Sequence, residues 1–208
     1  MAYWLFSKKN SMKNLEIIIL AAGKGTRMKS SKPKIFHELG GKQIIDYVID
    51  ASIRLKPKRI HLVVNNQIKN NFKYNNNLNI VIQKKQNGTG DAIKSAIKSL
   101  EKDSVTLVLY GDVPLIKYKT ILNVSKIKTN IVNLLCFNKE ERNNYGKVIL
   151  GTDGLISQVI EQKELKKNEN YYLCNSGIFA IETKLLSSLL PKLNNNNKKK
   201  EFYLTDIF

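Results

Sequence analysis

Two short segments carry the residue types of phosphate chemistry. The loop Ala21-Ala22-Gly23-Lys24-Gly25-Thr26-Arg27-Met28 follows the apolar run Glu16-Ile17-Ile18-Ile19-Leu20, and Lys32-Pro33-Lys34 comes soon after it. Small residues after a buried strand let backbone amides come close to a ligand, and such amides cradle phosphate oxygens. Arg27 and Lys34 add two cations beside the loop, which suits a triphosphate better than a diphosphate. The loop is not a Walker A, which ends in Gly-Lys-Ser/Thr after four spacers. It also lacks the third glycine of the dinucleotide fingerprint. Taken alone, the Gly-x-Gly is equally a tight turn.

These residues need a scaffold, and the hydrophobic pattern supplies one. Residues 16–20, Arg59 to Val64, Asn79 to Ile82 and Ser104 to Tyr110 are apolar, β-branched runs. They read as strands, the first and the last of them buried as in a parallel sheet. Between them, Gln43 to Leu55 and Asp91 to Leu100 carry apolar residues at helical spacing. After residue 130 the rhythm changes to strands over Ile131 to Phe137, Lys147 to Leu150, Leu155 to Ile160 and Tyr171 to Ile181. Asp153-Gly154 is a hairpin turn signal, and a leucine-striped helix follows over Glu182 to Leu190. The expected fold is α/β, a mixed sheet with helices on both faces and a β-rich second half.

Composition narrows the classes. The 208 residues are 42% hydrophobic and 25% charged, ordinary for a globular chain. Without an apolar run of 18 residues, no membrane span is expected. Cys136 and Cys174 make no disulfide framework and no zinc spacing, and the cytoplasm is the expected compartment. The net charge of +18 would fit a basic nucleic-acid-binding module, since lysines release counterions from phosphates. Against that, only four of the 35 basic residues are arginine, the residue suited to bidentate base contacts. Lys, Asn and Ile share A/T-rich codons, and composition bias explains the charge better. Ala2 to Phe6 is too short and wrongly flanked for a signal peptide, so residues 1–13 are expected to be a disordered extension.

Further along lie Gln83-x-x-Gln86-x-Gly88-Thr89-Gly90-Asp91-Ala92, Leu109-Tyr110-Gly111-Asp112-Val113-Pro114-Leu115 and Asn144-Tyr145-Gly146. Ile160-Glu161-Gln162-Lys163, Asn175-Ser176-Gly177-Ile178 and Tyr203-Leu204-Thr205-Asp206 complete the set. With the glycine loop, these motifs resemble, in order and spacing, the sugar-nucleotide pyrophosphorylases. The match is to the N-terminal nucleotidyltransferase domain of the bacterial N-acetylglucosamine-1-phosphate uridyltransferases. It covers residues 14 to 208 and implies a Rossmann-like nucleotidyltransferase fold.

The resemblance also implies roles. Leu20, Ala21, Ala22 and Gly23 would meet the uridine part, Gln83 the uracil edge, and Gly88 and Thr89 the base. Tyr110, Gly111 and Asp112 would stand where open α/β sheets bind ligands, and Asp112 would hold Mg²⁺. Gly146, Glu161 and Asn175 would hold the sugar, with Lys147 a weaker phosphate contact. Arg27, Lys34 and Asp112 would carry catalysis of uridylyl transfer from UTP to N-acetylglucosamine 1-phosphate. A nucleotidyltransferase of another base or sugar specificity, such as a cytidylyltransferase, is the nearest alternative. The family's second metal ligand, an asparagine about twenty residues beyond Tyr-Leu-Thr-Asp, and its β-helix acetyltransferase domain have no counterpart before Phe208. Weakened turnover is therefore expected. Oligomeric state has no sequence signal.

Overall fold

A computed structural model describes residues 14–23, 25, 28, 30–72, 77–127, 132–139, 143–165 and 172–208. The 1–13 extension therefore lies outside the described residues, as do Lys24, Thr26 and Arg27. Ten strands and four α-helices alternate in these segments. They run β1 (Asn14–Leu20), β2 (Glu38–Leu39), β3 (Lys42–Gln43), α1 (Ile44–Ile53), β4 (Arg59–Val64), β5 (Leu78–Ile82) and α2 (Thr89–Ala96). Then come β6 (Ser104–Tyr110), α3 (Tyr118–Ser125), β7 (Asn133–Asn138), β8 (Lys147–Leu150), β9 (Ile156–Ile160), β10 (Leu173–Glu182) and α4 (Thr183–Leu189).

Eight strands form one sheet in the order β5-β4-β1-β6-β10-β8-β9, with β7 also paired to β10. The first four are parallel; β10 runs antiparallel to β6, β7 and β8. The change from α/β to β-rich falls where the sequence pattern changes. β1 is central, flanked by β4 and β6, and Ile17, Ile18 and Ile19 are fully buried. Alternate side chains point to opposite faces. Ile17 and Ile19 thus pack with Ile45, Val48 and Ile121 on one side, under α1 and α3. Ile18 packs with Ile93, Ala96 and Leu186 on the other, under α2 and α4. Helices on both faces follow from this alternation.

Three elements differ from the sequence pattern. The helix α3 has only Ile121 and Val124 as buried residues and no side-chain cap, too short a stripe to register as periodic. The two-residue β2–β3 hairpin turns through Gly40 and Gly41, both at positive φ. Leu204–Ile207 forms a 3₁₀ turn, too short to show a period in the sequence.

Candidate active site

The carboxyl ends of β1, β5 and β6 open onto a cleft of about 640 Å³, the place where parallel α/β sheets bind ligands. Leu20, Ala21, Ala22 and Gly23 line it from β1 and its loop, and Gln83, Gly88 and Thr89 from the β5–α2 connection. Lys34, Tyr110, Asp112 and Glu161 also line it; of the other residues that sequence singled out, Gly111, Gly146 and Asn175 are not in the lining and Arg27 lies outside the described residues. The glycine loop is tied down at Ala22, whose carbonyl accepts from Asn65 Nδ2 at 3.1 Å and Gln86 Nε2 at 2.6 Å. Gly25, at φ +61°, lets the loop turn back on Lys34, whose Cβ would stand 3.0 Å from any added Cβ.

Lys34 and Asp112 meet across the cleft, Nζ to Oδ2 at 2.7 Å. Each side chain is over one-third exposed, so the pair adds little stability, roughly 1 kcal/mol or less. Its value is positional: a cation and a carboxylate are held in one place, ready for a charged ligand. Asp112 offers one hard oxygen donor group, and no cluster of three or more His, Cys, Asp or Glu exists among the described residues. That donor set fits Mg²⁺ held mainly by phosphate oxygens and water, and does not fit an all-protein metal cage.

Toward the other end stands Glu161. Burial holds its carboxyl above the ordinary range, while Thr205 Oγ1, donating to Oε1 at 3.1 Å, and the nearby Lys199 draw it back. Burial, then the charges of Glu161 and Asp112, push the Tyr110 hydroxyl well above its usual value. Tyr110 therefore remains a donor at neutral pH.

Gly111, Gly146 and Asn175 stand behind the lining residues. Gly111 N donates to Leu20 O at 2.9 Å, and a Cβ there would come within 2.8 Å of Ile45 Cδ1. It makes room for α1. Asn175 N donates to Gly146 O at 2.9 Å, and Asn175 Oδ1 accepts from Gly177 N at 2.7 Å. This turn brings Gly177, at φ +78°, beneath the Tyr110 ring, which any Cβ would overlap. Lys147 is buried with its ammonium on Asn143 Oδ1 at 2.8 Å and Cys174 Sγ at 3.0 Å, away from the cleft. His61, fully buried, faces Glu16 at 3.3 Å near the amino ends of the strands.

The cleft also contains residues to which sequence assigned no role: Gln86 and Tyr203, which lie in the quoted motifs, and Lys199 and Glu201, which do not. The last three arrive because the C-terminal segment docks on the glycine-rich turn before α2. Phe202 N donates to Asn87 O, Gly90 N to Phe202 O (both 2.8 Å), and Leu204 N to Thr89 Oγ1 at 3.2 Å. A Cβ at Gly88 would stand 2.7 Å from Phe202 O, and one at Gly90 2.9 Å. The Gly-Thr-Gly spacing thus serves a backbone-to-backbone contact. Only the Tyr-Leu-Thr-Asp motif hinted at this wall.

Comparison with known proteins places the chain. The MobA-like NTP transferase domain matches residues 17–142. A protein of Saccharophagus degradans called bifunctional protein GlmU is 39% identical over 201 residues, 93% of this chain and 44% of its own length. One of the same name from Buchnera aphidicola is 43% identical over 195 residues, 92% of this chain and 42% of its own length. The chain thus spans less than half the length of these relatives. A crystal structure of UDP-glucose pyrophosphorylase complexed with UDP-glucose superposes with TM-score 0.74 at 16% identity, covering 93% of this chain and 85% of that one. The 4-diphosphocytidyl-2C-methyl-D-erythritol synthase of Anaerococcus prevotii gives 0.62 at 19% identity, over 86% of this chain and 76% of its own. Both support the mixed α/β nucleotidyltransferase fold expected from sequence. With well over half its length matched, the chain belongs to the family of MobA-like NTP transferase domains.

Proposed function

We propose that the cleft transfers the uridylyl group from UTP to N-acetylglucosamine 1-phosphate, giving UDP-N-acetylglucosamine and pyrophosphate. One observation carries the reading: Gln83, the Lys34–Asp112 pair and Glu161 line one cleft at the carboxyl ends of the parallel strands. It is supported by two relatives named bifunctional protein GlmU, alike over more than nine-tenths of this chain. The cytoplasm is the setting that goes with a UTP-dependent reaction.

The sugar phosphate is already an ionised nucleophile, so the reaction needs neither a general base nor a covalent enzyme intermediate. Its oxygen forms the new bond to the α-phosphorus of UTP as the α–β bridging bond breaks and pyrophosphate carries away the electron pair. The barrier lies in charge crowding and alignment. Lys34 neutralises phosphate charge, with Arg27 in the same role from the glycine loop. Asp112 would hold Mg²⁺, and the ion when bound supplies positive charge to the phosphate oxygens. Tyr110 donates a hydrogen bond and closes the floor of the cleft. Glu161 accepts from sugar hydroxyls, and Gly146 and Asn175 shape the backbone behind it.

Calorimetric titration with UDP-N-acetylglucosamine tests the reading. It should bind at one site, weakened by Gln83→Ala and by Lys34→Ala. A chain that binds no uridine nucleotide would overturn it.

A further inference from the structure

The side-chain amide of Gln83 is held in one orientation. Gln83 follows β5 and is only 5% exposed. Its Nε2 donates to Gly88 O at 3.1 Å and to Asp91 Oδ2 at 2.8 Å. A carbonyl and a carboxylate are acceptors only, and a glutamine amide has two hydrogens to give. Both are spent inside the protein, and Oε1 is the atom left for a ligand. Turning the amide over would set Oε1 against two other acceptors. Of the two partners the carboxylate is the stronger, because its hydrogen bond is charge-assisted. Asp91 lies in the first turn of α2 and is not among the residues lining the cleft. It touches a ligand only through Gln83.

We propose that Asp91 is a positioning residue for base selection: it locks Gln83 so that an acceptor, never a donor, meets the base. An acceptor at that edge favours a ring carrying N–H and opposes one carrying a lone pair. Uracil has a hydrogen on N3; cytosine has a lone pair there. The lock therefore selects uridine over cytidine nucleotides partly by repulsion, which discriminates without adding affinity for the chosen base. A buried polar group left unpaired adds to the rejection. The proposal rests on the uridylyl-transfer reading above.

The test is the affinity of the full chain for UTP, CTP and 3-methyl-UTP with Mg²⁺, repeated on Asp91→Asn, Asp91→Ala and Gln83→Ala, with thermal unfolding to verify folding. An asparagine at 91 can turn its own NH₂ toward Gln83, releasing the amide to present either face. The expected result is a fall of about tenfold in the UTP-over-CTP preference, the scale of one hydrogen bond, in both Asp91 variants. The loss should come partly from tighter CTP binding, which mere loosening of the site would not produce. The parent chain should bind 3-methyl-UTP more weakly than UTP. A preference lost in Gln83→Ala but kept in both Asp91 variants overturns the lock and leaves the base reading standing. A parent chain that does not distinguish UTP from CTP overturns the base reading itself. If neither Asp91 variant folds, the parent chain still decides: equal affinity for 3-methyl-UTP and UTP means Oε1 reads no N–H, and the proposal fails.

Discussion

Replacing Gly88 by alanine tests how the cleft wall is built. The backbone at Gly88 has φ +102° and ψ 178°, a region open essentially to glycine alone. Holding a non-glycine residue there costs about 1–3 kcal/mol. The added Cβ would also stand 2.7 Å from Phe202 O and 3.0 Å from Phe202 N. Both are backbone atoms that hold the C-terminal segment in place, so relief requires that segment to move, and overpacking of this kind costs about 1–3 kcal/mol more. A total near 4 kcal/mol corresponds to a Tm lowered by about 8–16 °C in a chain of this size. Gly154 is the control: it has φ +74° with nothing within 4 Å of a Cβ. Gly154→Ala carries the conformational cost alone, near 2 kcal/mol or about 4–8 °C. Scanning calorimetry on the two variants isolates the contact. Gly88→Ala should also bind UTP more weakly, because Glu201 and Tyr203 lose their docking. If Gly88→Ala melts no lower than Gly154→Ala, the close approach contributes nothing and the reasoning is refuted.

Further outcomes follow from the same geometry. Gly23 has open space around its Cβ position and no positive φ, so Gly23→Ala should leave Tm within about 1 °C yet weaken nucleotide binding; unchanged affinity would put the ligand elsewhere. Lys34→Ala should lower kcat by about 10²-fold or more with a smaller change in KM, because its charge matters most as pyrophosphate departs. Arg27→Ala should behave alike, and a loss of affinity alone would make either residue a ground-state anchor. Burial raises the Glu161 carboxyl, so the folded chain holds that proton more tightly than the unfolded chain does. Its stabilising contribution is present at acid pH and is lost as pH rises through the raised folded value. The Tm of Glu161→Gln relative to the parent chain should therefore climb as pH rises above the ordinary carboxylate range of about 4; a constant difference would contradict the burial.

The legible part of the fold was the part set by local pattern. Ile17 to Ile19, Leu62 to Val64 and Leu107 to Leu109 are apolar without interruption because both faces of their strands are covered, and such runs need no tertiary knowledge to read. The helix α1 and the helix α2 carried clear stripes, and their observed ends differ from the pattern by two residues or fewer, apart from the last turn of α2, which tightens to a 3₁₀ turn over Ile97–Ser99. What escaped was non-local. Lys199, Glu201 and Tyr203 reach the cleft because their segment hydrogen-bonds to Asn87, Thr89 and Gly90, more than a hundred residues away. The asparagine and lysine run before them looks like solvated surface. At Gly111 and Gly146, which the resemblance reads as ligand contacts, the missing Cβ atoms also make room for Ile45 and for the Ile160 carbonyl. Type and spacing mark such positions as close approaches; which partner approaches is settled by packing. The orientation of Gln83 was likewise illegible, since it depends on Gly88 and Asp91 together.

The most direct measurement is pyrophosphate release from UTP in the presence of Mg²⁺, followed before and after adding N-acetylglucosamine 1-phosphate. Release should begin only when the sugar phosphate is added, match UDP-N-acetylglucosamine formed mole for mole, fall with CTP, and vanish in Asp112→Ala. Release that is indifferent to the sugar phosphate, or no release from a chain that still binds UTP and the sugar phosphate together, would contradict uridylyl transfer in this cleft.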